Sequence, residues 1–280
     1  MAGRNCRAPS PCCVVCSREM IGEFSVLGET ADLLAVEKPA GLLVHPTKPG
    51  GPRTLWDGLR ELLGFELANG GQVSLINRLD RETSGIVLVA KSSAAARQAA
   101  MAMQEGRIRK LYLALVHEWP EADAFEVAAP IARLGDVAGT TIHLQRAVHP
   151  SGAPAHTKFR VLERFVRHGG RFAVLEAAPI TGRTHQIRVH AAHAGHPVVG
   201  DKIYGPSPDC YLEFIQTGWT DSLARRLLLP RHALHSAHLS LDWNGEQLAW
   251  SSGLPDDLAE FLIAPDNNPP RQRLGRLRIS

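Results

Sequence analysis

No apolar run in the chain approaches the roughly 20 residues needed to cross a bilayer. Its start holds no secretory core either, because Pro9, Pro11 and Arg18 hem in the short stretch Cys12 to Cys16. Membrane-spanning and exported proteins are thereby disfavoured, and a cytoplasmic location is the expectation. An excess of one charge is also missing: 31 Lys and Arg against 28 Asp and Glu leave +3, too little to demand a polyanionic partner. Cysteine is scarce and badly spread for a disulfide scaffold, since four of five crowd at Cys6, Cys12, Cys13 and Cys16. A zinc site fits that crowd poorly, as four ligands within eleven residues leave little loop between the pairs. What remains, 44% hydrophobic and 21% charged, is the composition of a folded domain and excludes disordered and collagen-like chains.

Residues 1–19 lack any period and read as an ill-ordered extension, which initiation at Met20 would remove altogether. Residues 265–280 read as a flexible basic tail, and 20–264 as one catalytic body without a linker or internal repeat. Within the body, Leu33–Glu37, Gln72–Asn77, Gly85–Lys91, His156–Arg164, Arg171–Ala178, Leu234–Leu241 and Leu248–Trp250 read as strands. Thr54–Leu63, the Ala-rich stretch from Ser92 to Glu105, and Thr184–Ala194 read as helices, the last two closed by Gly106 and by Gly195. In Arg109–Val116 alternation sets Leu111, Leu113 and Leu115 on one strand face, with Tyr112 turned away from that greasier side. From His117 to Pro154 the pattern is weak, and short strands and loops are expected.

Positive charge is unevenly placed. Lys91 to Tyr112 carries Lys91, Arg97, Arg107, Arg109 and Lys110 against Glu105 alone, and Arg271 to Arg278 holds four arginines without an acid. Both stretches are candidate phosphate contacts. Asp80 lies in a polar turn between two apolar runs, a place where a rigid scaffold presents a reactive group. Four histidines, His185, His190, His193 and His196, suggest a metal cluster. No carboxylate completes a ligand spacing among them, however, and helical geometry points them around more than one face, so no metal is expected.

Five blocks decide the reading. VEKPAGLLVHP, NRLDRETSGIVLVAKS, RKLYLALV, ITGRTHQIRVHAAHAGHPVVGDKIYG and RHALHSAHLSL follow one another between Val36 and Leu241. In content and order they resemble the RluA family of RNA pseudouridine synthases. The resemblance implies an α/β (α+β) fold with a mixed, largely antiparallel central sheet, flanking helices and a central catalytic cleft. By the same resemblance Asp80 is the catalytic aspartate, acting on the ribose as nucleophile or as base, and Arg188 is its ion-pair partner. Tyr112 is then the tyrosine that stacks on the flipped uracil and takes the C5 proton late in the reaction. Arg78 fills the stack that the base vacates, and Leu234 packs under the tyrosine ring. No cofactor, metal or energy source is implied. Gly85, Gly200 and Gly205 stand where tight turns or close backbone approach are wanted. One departure is Asn77, where the family usually carries histidine.

The implied substrate is structured RNA, a ribosomal or transfer RNA stem-loop, gripped by the catalytic body because fewer than forty residues precede the first block and leave no room for an S4 module. A monomer is expected, as no sustained heptad suggests a partner helix. Two rivals remain. One is a noncatalytic RNA-binding or ribosome-assembly factor on the same fold. The other is a carboxylate-dependent glycoside hydrolase, which needs a second acid facing Asp80, with Glu82 available.

Overall fold

A computed structural model describes residues 19–21, 23–263 and 272–273. The chain enters through an antiparallel run of β1 (Glu19–Ile21), β2 (Phe24–Glu29) and β3 (Leu33–Lys38). Beyond a Pro/Gly-rich loop come α1 (Leu55–Leu62), α2 (Gly64–Ala68), β4 (Ser74–Leu75), β5 (Ser84–Ala90) and α3 (Ser93–Gln104). Next, β6 (Arg109–His117) and β7 (Ala124–Ala128) lead to a small arm of β8 (Ile131–Arg133), α4 (Leu134–Val137) and β9 (Arg146–Val148). A long hairpin follows, β10 (His156–Arg167) and β11 (Gly170–Pro179). The remainder holds α5 (Gln186–His193), α6 (Asp209–Thr217), α7 (Asp221–Leu227), β12 (Leu234–Trp243), β13 (Glu246–Ser251), α8 (Asp256–Ile263) and β14 (Gln272–Arg273).

One sheet runs through all of this in the order β1-β2-β3-β5-β12-β6-β11-β10-β14, with β4 added to β5, β13 to β12 and β7 to β10. Every pairing between these strands is antiparallel except β5 with β12, which run parallel across Ser84–His235 and Gly85–Ser236. Two sheet halves therefore meet at a short parallel seam. The fold is the mixed, largely antiparallel α/β architecture that the five blocks imply.

Alternation explains why the central strands are buried on both faces. Leu34 and Val36 of β3 and Val87 and Val89 of β5 join Leu55 and Leu59 of α1 in one core cluster. Their neighbours Leu33, Ala35, Ile86, Leu88 and Ala90 turn the other way and pack on Ala95, Ala99 and Ala102 of α3. That helix begins where Ser92 accepts a hydrogen bond from the Ala95 amide, as expected from its Ser cap.

The structure corrects the reading at several points. The strand expected over Gln72–Asn77 shortens to Ser74–Leu75, because the Asn77 side chain replaces the ladder: its amide donates to Ile86 O at 3.0 Å and its oxygen accepts from the Leu88 amide at 2.8 Å. The helix expected from Thr184 starts at Gln186, because His185 takes a left-handed conformation at φ 59°. Both faces of β6 are buried, so Tyr112 does not avoid the greasy side; it sits in the larger core cluster with Ala114 and Leu234. The helices α2, α6, α7 and α8 lie outside the helices expected from the sequence. The expected N-terminal extension lies outside the described residues apart from Glu19, and of the expected basic tail only Gln272 and Arg273 are described, paired with β10.

The seam leaves no room for a side chain at Gly85, where φ is +110° and an added Cβ would lie 2.2 Å from Ser236 O. Gly41 also has positive φ, +89°, but nothing lies within 4 Å of its would-be Cβ. Gly85→Ala should therefore cost about 3 kcal/mol or more in urea unfolding, and Gly41→Ala about 1 kcal/mol. Equal costs would show that the seam yields.

Candidate active site

Asp80 projects from the loop between β4 and β5, and almost every residue around it in that loop is tied down. The Thr83 amide donates to Asp80 O at 3.1 Å, which closes a turn. Lys38, fully buried at the end of β3, donates to Pro39 O at 2.7 Å, Leu42 O at 2.9 Å and Arg81 O at 3.1 Å. Burial pushes the Lys38 ammonium down to about 7, with the Asp80 carboxylate opposing that shift. Glu82 pairs with Lys202 at 2.7 Å and accepts from the His232 amide at 3.3 Å, while Thr83 Oγ1 bonds His232 Nε2 at 2.7 Å. A loop held from this many sides keeps its carboxylate in one place.

Opposite stands Arg188, on a helix α5 with six of its eight residues buried. Its Nη1 donates to Asp80 Oδ2 at 2.8 Å, a contact that spans 108 residues of chain. The other edge of the guanidinium is occupied: Nε and Nη2 form a two-pronged contact to Asp201 at 2.6 and 2.8 Å. Asp201 has no exposed surface, and its Oδ1 also accepts the amides of Ile203 and Tyr204 at 3.0 Å each. Burial pushes the Asp201 carboxyl up, but Arg188 outweighs it and holds the group far below the usual carboxylate range. For Asp80, too, burial raises the pKa, while Arg188 first and then His185 and His232 bring it below its ordinary value. A quarter of the Asp80 side chain stays exposed, and among the described residues its Oδ1 has no hydrogen bond, so it is a stable anion with one oxygen to spare.

The cleft that Asp80 lines encloses about 940 Å³. Tyr112, Leu234, Arg78 and Asp80 all line it together with Arg188, so the structure brings together the five residues to which the resemblance gives a role in the site. Tyr112 and Leu234 come from neighbouring strands, with Leu234 opposite Ala114 and Tyr112 opposite Ser236 in the β6–β12 register. Burial pushes the Tyr112 phenol up to about 12, so at rest it is neutral. Arg78 is exposed at the mouth and has no hydrogen bond or ion pair among the described residues.

Sequence reasoning missed one contributor: Asp201, quoted only as part of GDKIYG, is the second counter-charge that a buried arginine requires. Lys110, one of the candidate phosphate contacts, reaches into the cleft two residues from Tyr112, and among the described residues its Nζ bonds Met103 Sδ alone, at 3.3 Å. Two of the other expected cations are already engaged: Lys91 pairs with Glu29 and Arg107 with Glu105, each at 2.6 Å. Among the described residues no cluster of His, Cys, Asp or Glu could hold a metal ion. His190 instead bonds Thr157 Oγ1 and Ala129 O, each at 2.9 Å.

Comparison with known proteins bears on this geometry. The family profile for RNA pseudouridylate synthase matches residues 32–193. Ribosomal large subunit pseudouridine synthase D of Nitrosomonas europaea is 39% identical over 252 residues, covering 88% of this chain and 66% of that protein. The protein of the same name from Yersinia pestis is 35% identical, covering 86% and 70%. An uncharacterized RNA pseudouridine synthase of Chloroflexus aurantiacus is 38% identical, covering 80% and 64%. The chain thus spans about two thirds of the length of these relatives. Among solved structures, human RNA pseudouridylate synthase domain containing 1 superposes with a TM-score of 0.64 at 26% identity, covering 88% of this chain and 89% of that one.

The shared guanidinium makes a pH-dependent prediction. Asp80 and Asp201 have folded-state pKa values below the unfolded value of about 3.9, so they stabilise the fold above about pH 4, and that contribution is lost as pH falls through their lowered values. Arg188→Met removes the partner and leaves desolvated carboxylates, whose pKa values then rise above the unfolded ones. Urea unfolding should show a loss of about 3–5 kcal/mol at neutral pH. That deficit should shrink on acidification toward about pH 5, as the orphaned carboxyls take up protons. A deficit independent of pH would contradict this account.

Proposed function

The chain belongs to the RNA pseudouridine synthase family, and on that premise we propose that it converts uridine to pseudouridine in ribosomal RNA with Asp80 as its catalytic carboxylate. The observation that carries the reading is the asymmetry at Asp80, which lines the cleft with Oδ2 bonded to Arg188 and with no hydrogen bond at Oδ1 among the described residues. A stem-loop of ribosomal RNA is favoured over transfer RNA because several relatives are named for the large ribosomal subunit. The protein would act as a single copy in the cytoplasm.

Isomerisation needs no reactant beyond the nucleotide. The bond from ribose C1′ to uracil N1 breaks, the freed base turns, C1′ joins C5, C5 gives up its proton and N1 gains one, so atoms and electrons balance. Asp80 Oδ1 engages the ribose, by adding at C1′ or by taking the C2′ proton. Arg188 keeps the carboxylate anionic for either role. Tyr112 and Leu234 form an apolar slot for the flipped uracil, and Arg78 at the mouth takes its place in the stack. Lys110 has no carboxylate partner among the described residues and is suited to an RNA phosphate beside the base.

The rivals fare worse. A glycoside hydrolase needs a second free acid, and Glu82 is engaged by Lys202 and the His232 amide. A noncatalytic binder has no use for a carboxylate kept ionised in a cleft. Tritium release from ribosomal RNA carrying uridine labelled at C5 decides between them. Wild type should release tritium, and Asp80→Asn should release none while still binding RNA. Release by the variant would remove Asp80 from its role, and silence from both with binding intact would favour the noncatalytic factor. In the same assay Lys110→Met should raise KM and flatten the dependence of log kcat/KM on log salt by about one unit. An unchanged slope would take Lys110 off the phosphate.

A further inference from the structure

Arg188 flanks one oxygen of Asp80, and His185 flanks the other, with Nε2 3.9 Å from Oδ1. The ring of His185 is held from behind. Its Nδ1 lies 2.8 Å from the Tyr204 hydroxyl, and that hydroxyl accepts the backbone amide of Arg146 at 2.9 Å. The phenol proton needs an acceptor, and among the described residues Nδ1 is the one within reach. Arg146 N–H thus donates to Tyr204 Oη, and Tyr204 O–H donates to His185 Nδ1. A nitrogen that accepts cannot carry the proton of a neutral imidazole, so that proton sits on Nε2, on the side of Asp80.

Two further observations agree. Asp80, Arg188, Asp201 and Arg146 all face His185, and burial first, then Arg188, lowers its pKa to about 4, so the ring is neutral at physiological pH. His185 is also one of the few non-glycine residues with left-handed backbone, at φ 59°, immediately before the buried helix α5. Strain of this kind persists where surrounding structure imposes it and is a mark of functional sites. Tyr204 does double duty, for its ring also lies under the Arg188 guanidinium, 5.0 Å from the centroid.

We propose that Tyr204 is a positioning residue, whose hydroxyl locks His185 in the Nε2–H tautomer and aims a neutral N–H donor at the free oxygen of Asp80. The inference rests on the uridine-isomerising reading for its consequence, though not for its geometry. At 3.9 Å the donor is too far to bond Oδ1 at rest, so it leaves that oxygen basic. It is placed to bond a ribose oxygen brought up to Asp80, or Oδ1 itself once the carboxylate moves onto the sugar. A protonated imidazole there would instead neutralise Asp80.

Nitrogen-15 NMR of the full chain with labelled histidine reads the tautomer without any turnover. The signal missing from His185→Gln identifies His185. It should show a bare Nδ1 and a protonated Nε2 in wild type, and a mixture of tautomers or the reverse in Tyr204→Phe, which keeps the ring over Arg188. With RNA substrate, Tyr204→Phe should lower kcat by on the order of tenfold to a hundredfold while KM stays unchanged. Adding it to His185→Gln should cause no further loss. A protonated Nδ1 in wild type overturns the proposal, as do losses that add in the double variant. If the chain fails to isomerise uridine at all, the wild-type tautomer still decides the geometric claim, so the two failures are distinguishable.

Discussion

A buried guanidinium shared between two carboxylates is the constraint on which this molecule turns. Arg188 is 4% exposed and cannot stay charged there without compensation, and Asp201, with no exposed surface, supplies most of it. A further N–H, on Nη1, is given to Asp80. Asp80 comes from the sheet half built before the parallel seam, and Arg188 from the helix that follows β11 on the other side. Cohesion of the two halves and ionisation of the reactive carboxylate are thus served by one contact.

The rest of the site is arranged so that this anion does not wander. Main-chain carbonyls of the Asp80 loop are gripped by the Lys38 ammonium and by Arg231, which donates to Glu82 O at 3.3 Å, and its side chains are met by Lys202 and His232. A fixed charge facing an apolar slot costs no reorganisation when the substrate arrives, which is how electrostatic preorganisation lowers a barrier. Tyr204 extends the same principle to the far side of Asp80, where a backbone amide, a phenol and an imidazole line up.

Much of this was legible in the chain. The strands β3, β5, β6 and β10 to β13 stand out because alternation and apolar runs are local signals, and Asp80, Tyr112 and Arg188 stand out because whole blocks resemble a family. What was not legible depends on contacts distant in sequence. An Asp between Gly200 and Lys202 looks like a turn residue, and only the buried arginine thirteen positions earlier gives it a role. Asn77 shortened a strand by imitating backbone, and the left-handed turn at His185 delayed a helix, neither of which alternation can register. The helices α6 and α7 escaped because their buried face is small, Cys210 with Leu223 and Leu227, too few positions to make a period.

The central physical claim is that Arg188 keeps Asp80 an anion inside its cleft. The carboxyl carbon resonance of Asp80, in protein labelled with carbon-13 aspartate and assigned by its loss in Asp80→Asn, reports that charge directly. It should stay flat from neutral pH down to about pH 5, more than a unit above the ordinary aspartate value. A titration step within that window would mean that burial wins over the arginine, and it would contradict the account.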